Sequence, residues 1–72
     1  MTPIEKAVDV AGSQAALARA IDVSPVFVNQ MVRGVKKIPA GLCRAIEVAT
    51  SGVVTAVDLR PDVFGQPKAA TA

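Results

Sequence analysis

The sequence predicts an all-α fold, a compact bundle of about five short helices organised round a helix-turn-helix. Three observations predict it. Apolar residues recur at helical spacing in four successive segments. Each segment is preceded by Thr, Ser or Pro at the positions that start helices. Although 51% of the residues are apolar, Ala and Val supply most of them and Phe27 and Phe64 are the only aromatics, which suits a core of close-packed short helices.

In the first helix Thr2 caps, Pro3 takes the first helical position and Glu5 reaches back to complete a capping box. Ile4, Ala7, Val8 and Ala11 form its apolar stripe, and Gly12 ends it. Ser13 caps the second helix, where Leu17, Ala18 and Ile21 share one face. Ala18 matters most, because a methyl-sized side chain lets a neighbouring helix cross close by. Gln14 stands in a first turn whose free N–H groups can meet a phosphate, the alternative being a solvated helix start. Arg19 points away from the apolar face and is either a second phosphate contact or an ordinary surface charge.

Ile21-Asp22-Val23 forms the turn, with Asp22 at the exposed bend. Aspartate enters the left-handed region with little strain, so it can stand where such turns usually place glycine. Ser24 caps the third helix, Pro25 starts it and Gly34 closes it. Within it the residues divide into two stripes. Val28, Met31 and Val32 form a core-facing one. Val26, Asn29, Gln30 and Arg33 lie on the other face, three of them able to hydrogen-bond to base edges and the fourth able to meet a thymine methyl. Phe27 stands between the stripes. It either plugs the junction with neighbouring helices, contacts thymine methyls or docks another protein chain.

No acidic residue lies between Asp22 and Glu47, whereas Arg33, Lys36, Lys37 and Arg44 all do. In a chain of net charge +2 this concentrates positive charge at the end of the third helix, where the phosphates flanking a groove would sit. Pro39 begins a fourth helix with Leu42, Ala45, Ile46 and Ala49 on one face, and Thr50-Ser51-Gly52 stops it. Val53 and Val54 are too few to make a strand, although an extended pair here could add to a partner's edge. Thr55 and Asp58 repeat the capping-box pattern for a last helical turn that Pro61 ends. Leu59, Val63 and Phe64 then fold back as an apolar clasp, or else form a dimer surface together with Val53 and Val54. Residues 1–65 make one domain, and Gln66 to Ala72, without periodicity, a disordered tail.

The segment QAALARAIDVSPVFVNQMVRG resembles the helix-turn-helix of small Cro-like phage repressors, of the lambda-repressor-like class. With KKIPAGLCRAIEVAT and LRPDVFG it is similar to the YdaS/Cro-type regulators and antitoxins of bacterial prophages, over roughly residues 3 to 65. The resemblance implies a transcriptional regulator on duplex DNA, with a toxin as a further possible partner. It also implies a backbone contact for Gln14. Asp22 departs from the family's usual glycine, and Val26 and Phe27 make the start of the recognition helix unusually apolar.

A DNA-binding reading places residues 24 to 33 in the major groove. Ser24, Pro25, Val26, Asn29, Gln30 and Arg33 would meet bases, while Gln14, Arg19, Lys36 and Lys37 would hold the backbone. A single recognition helix is a small interface, so a homodimer on a two-fold operator is expected, formed in advance or only on DNA. With no histidine and the single cysteine Cys43, neither a disulfide within the chain nor an ordinary zinc site can form, and Cys43 reads as a structural thiol beside the core. No cofactor is expected. The scattered carboxylates, and the lack of a nucleophile beside a base, predict no enzyme activity. No apolar run approaches the length of a membrane span, and a cytoplasmic protein is expected.

Overall fold

In the computed structural model, which describes residues 2–65, six helices follow one another: α1 (Pro3–Ala11), α2 (Gln14–Ile21), α3 (Pro25–Val32), α4 (Ala40–Ala49), α5 (Ala56–Leu59) and α6 (Pro61–Phe64). No strand occurs among the described residues, and no helix there is long and apolar enough to cross a membrane. The expected tail lies outside the described residues.

Side-chain caps start α1, α2, α3 and α5. Thr2 and Glu5 form the reciprocal box on α1, and Thr55 and Asp58 the same box on α5. The Thr2 backbone N–H, donated to Glu5 Oε1 at 2.8 Å, holds that carboxyl below its usual range. Ser13 Oγ accepts from the Ala16 N–H at 3.0 Å, and Ser24 Oγ from the Phe27 N–H at 3.2 Å.

Three helix ends share one geometry. At α2 the Val23 N–H donates to the Ala18 carbonyl at 2.9 Å while Asp22 takes φ 62 and ψ 47. At α3 the Val35 N–H donates to the Gln30 carbonyl at 2.9 Å round Gly34 at φ 79. At α4 the Gly52 N–H donates to the Glu47 carbonyl at 2.9 Å round Ser51 at φ 54. Each is a Schellman-type closure that satisfies carbonyls a helix would otherwise leave open. Asp22 therefore does occupy the left-handed bend.

Helix α2 is central, packing against α1, α3 and α4, while α5 joins α4, α1 and α6. The core consists of Ile4 and Ala7, Leu17, Ala18 and Ile21, Val28 and Met31, Cys43 and Ile46, Val54, and Ala56 and Leu59. Ala18, 1% exposed, lets α3 and α4 close on α2.

The C-terminal half departs from the sequence reading in three places. Pro61 does not end the chain's last helical turn: it occupies the first position of α6. Arg60, at φ −139 and ψ 72, is the extended residue that must precede a proline, so α5 stops there and α6 starts again one residue later. Cys43 lies in the core rather than beside it, fully buried, with Sγ 3.5 Å from the Pro39 carbonyl, and burial pushes its thiol pKa up. Val53-Val54 is not an edge strand but part of a turn, and Val54 is buried at 1% exposure. Its N–H donates to Thr50 Oγ1 at 3.1 Å, so the one buried polar side chain among the described residues holds the reversal after α4.

Candidate nucleic-acid interface

The third helix is two-sided. Val28 and Met31 are buried, at 0% and 3% exposure, and Val32 is half-buried against the same core. On the other side Val26 is 67% exposed and Arg33 is exposed, with Asn29 and Gln30 half-buried between them. Ser24 and Pro25 lie exposed at the N-terminus of α3. Phe27 is half-buried and packed on the core, the placement expected of a plug between helices.

Two residues assigned separately to bases and to backbone are brought into direct contact. Asn29 Nδ2 on α3 donates to Gln14 Oε1 at the first position of α2, at 3.2 Å. The N-terminus of α2 and the middle of the outer stripe of α3 therefore form one polar surface. Arg19 is exposed on the flank of α2 and has no hydrogen bond or ion pair among the described residues.

The basic loop continues directly from this surface. The Lys36 N–H donates to the Gln30 carbonyl at 3.2 Å, wrapping the chain round the end of α3, and Lys36 and Lys37 are both exposed. Arg44 belongs elsewhere. Its guanidinium lies 5.2 Å from the Phe64 ring centroid and 3.6 Å from Glu47 Oε1, on the side formed by α4 and α6. The positive charge beside α3 thus comes from Arg33, Lys36 and Lys37.

Residues read as a clasp or dimer surface divide by burial. Val54 and Leu59, at 1% and 8% exposure, are core; Phe64 is half-buried against the core; Val53 and Val63 remain 49% and 48% exposed. Of these five, only Val53 and Val63 remain exposed.

Sequence reasoning passed over Arg60. Its Nε and Nη2 donate to Asp62 Oδ1 and Oδ2 at 2.9 and 2.7 Å, and its Nη1 donates to the Ile38 carbonyl at 2.8 Å. The fork from Arg60 lowers the Asp62 pKa to about 2, and Lys37 adds a smaller attraction. The same bonds push Arg60 upward. An arginine one residue before Pro-Asp was the available signal, but the loop it reaches lies 22 residues away in sequence.

Two short helices joined at a left-handed Asp22, the second buried on one side and polar on the other, define a helix-turn-helix protein. The family model described as "Bacterial toxin YdaS" matches residues 4–68, and the chain belongs to this family. A relative from Escherichia coli (strain K12), named "Putative transcriptional regulator YdaS", is 49% identical over 59 residues, which cover 82% of this chain and 60% of that protein. The chain thus spans about 60% of the length of that relative. The Cro protein from a prophage element, Xfaso 1, in Xylella fastidiosa strain Ann-1 has a similar structure. It is 40% identical, with a TM-score of 0.81 over 92% of this chain and the whole of that one. The fold is Cro-like.

Proposed function

We propose that the chain is a sequence-specific transcriptional regulator that sets α3 into the major groove of duplex DNA and represses by occupying an operator. The two-sided third helix carries this reading. Gln30 and Arg33, with Asn29 next, have the donors that grip adenine and guanine edges, and none of the three is needed for the buried core. Ser24, Pro25 and Val26 stand closest to bases or the adjoining phosphate, while Gln14, Lys36, Lys37 and Arg19 fix register on the backbone. The names of the E. coli relative and the Xylella Cro protein support a regulator.

A pair of such helices on a two-fold operator, with half-sites about 34 Å apart, would give the affinity one helix lacks. The test is selection from random duplex DNA at about physiological salt, followed by sequencing. A recovered two-fold motif supports a dimeric repressor. An Arg33→Ala, Gln30→Ala variant that binds the recovered site as tightly as the parent removes the reading.

Val26, at 67% exposure on the surface offered to DNA, favours one other reading: a helix-turn-helix that docks a protein instead, such as a toxin partner. Salt separates the two. DNA binding weakens steeply as salt rises, by about one counterion per phosphate contact, whereas an apolar protein contact does not.

A further inference from the structure

The segment Leu59 to Phe64 takes no part in the surface described above, yet it reaches across the molecule to the basic loop. The loop's near end is held by α3, through the bonds from Val35 and Lys36 to the Gln30 carbonyl. Its far end is not. Among the described residues, the only hydrogen bond that ties Lys37 or Ile38 to the rest of the molecule is the 2.8 Å bond from Arg60 Nη1 to the Ile38 carbonyl. An open groove of about 420 Å³ lies between the loop and Arg60; the Ile38 side chain packs on the core, and the Arg60 bond adds the hydrogen bond that fixes its backbone carbonyl.

Arg60 is itself fixed on three sides. Its backbone N–H closes α5 on the Ala56 carbonyl at 2.9 Å, Pro61 restricts its backbone to the extended region, and Asp62 grips its guanidinium with both oxygens. With its charge satisfied by Asp62, the guanidinium is suited to holding a carbonyl rather than a phosphate.

We propose that Arg60 is a positioning residue for DNA binding: by holding the Ile38 carbonyl it sets Lys36 and Lys37 at the height of the phosphates flanking α3. The inference rests on the DNA reading above. It predicts that LRPDVF serves the interface from a distance, touching no nucleotide.

The test measures affinity for a duplex, the selected operator or mixed-sequence DNA at low salt, in four full-length proteins: the parent, Arg60→Gln, Lys36→Ala/Lys37→Ala, and the triple variant. Arg60→Gln is expected to lose about fivefold in affinity, and the loss is expected to vanish in the background lacking both lysines. Its salt slope should fall by about 1. Arg60→Lys, which cannot fork onto Asp62 and reach Ile38 at once, should not restore binding. Thermal melts confirm that each variant is folded at the assay temperature. An Arg60→Gln variant that binds like the parent overturns the proposal, as does a loss that persists undiminished without the lysines. If the parent's affinity depends on Lys36 and Lys37 but not on Arg60, the proposal alone fails; if the parent retains no duplex, the DNA reading fails and takes the proposal with it.

Discussion

Asn29 and Gln14 are joined by a 3.2 Å hydrogen bond that spans the turn between the two helices of the motif. The bond uses one amide hydrogen of Asn29 and the amide oxygen of Gln14. Asn29 keeps a second hydrogen and its carbonyl oxygen, the pair that adenine's edge requires, and Gln14 keeps both hydrogens of its own amide for a phosphate. If α3 reads DNA as proposed, each side chain orients the other for its own contact.

Alanine at either position should therefore cost more than one contact, and the two costs should not add. In a double-mutant cycle on duplex affinity the expected coupling is about 0.5–1.5 kcal/mol. Binding titrations of the parent, both single variants and the double variant measure it. Strict additivity would mean the two residues act independently.

Asp22, at φ 62, should respond to substitution according to backbone freedom. Asp22→Ala is expected to destabilise by about 1 kcal/mol, because alanine enters the left-handed region less readily than aspartate. Asp22→Gly should be nearly neutral, its relief of strain offset by greater freedom in the unfolded chain. Urea denaturation distinguishes the two. Equal losses for both would place the effect in the carboxylate instead of the bend.

The local devices at helix ends were legible because each is written in neighbouring residues. Thr2 with Glu5, Ser13, Ser24 with Pro25, and Thr55 with Asp58 lie three residues or fewer from what they satisfy, and Asp22 signals its own bend. Pro61 misled because proline both stops one helix and suits the first position of another; only Arg60's extended backbone decides that both happen here. Val54, read as part of a partner's edge or of a dimer surface, is buried instead, in a reversal held by its N–H donated to the Thr50 hydroxyl, which no hydropathy pattern signals. The link from Arg60 to Ile38 depends on how α5 and α6 return to the loop, which no local pattern encodes. On the candidate interface, both partners of the Gln14–Asn29 bond could be named, but not their contact, since it requires the crossing of α2 and α3.

Thr50, 1% exposed, offers a stricter test of the core. Thr50→Val keeps the shape but leaves the buried Val54 N–H without its acceptor, at an expected cost of about 1–3 kcal/mol. Thr50→Ser keeps the hydroxyl and should lose less, roughly the value of one buried methyl, about 1 kcal/mol. Thermal or urea unfolding ranks them. A valine variant as stable as the parent would mean water or a shifted backbone satisfies the N–H.

The pair formed by Arg60 and Asp62 should appear in acid. Asp62's pKa falls from its ordinary 3.8 to about 2 on folding, so its contribution to stability is complete above about pH 4 and is lost as pH drops through about 2. Unfolding curves of the parent and Asp62→Asn, compared at steps across that range, are expected to converge as pH falls. Because the Asp62 side chain is 61% exposed, added salt should shrink the gap at pH 5 as well. A gap that is unchanged from pH 5 to pH 2 would show that the amide disturbs something other than charge.

The separation of buried and open residues on α3 also bears on how such a chain changes over generations. Val28 and Met31 anchor the helix, and neither Val26 nor Arg33 shares their burial. Replacements at Val26 and Arg33 can accumulate without eroding the thermodynamic margin that a small domain has so little of. Asn29 is less free, because Gln14 must change with it. A lineage built on this scaffold would acquire new targets most readily at the two ends of the helix, and its middle would drift only in pairs.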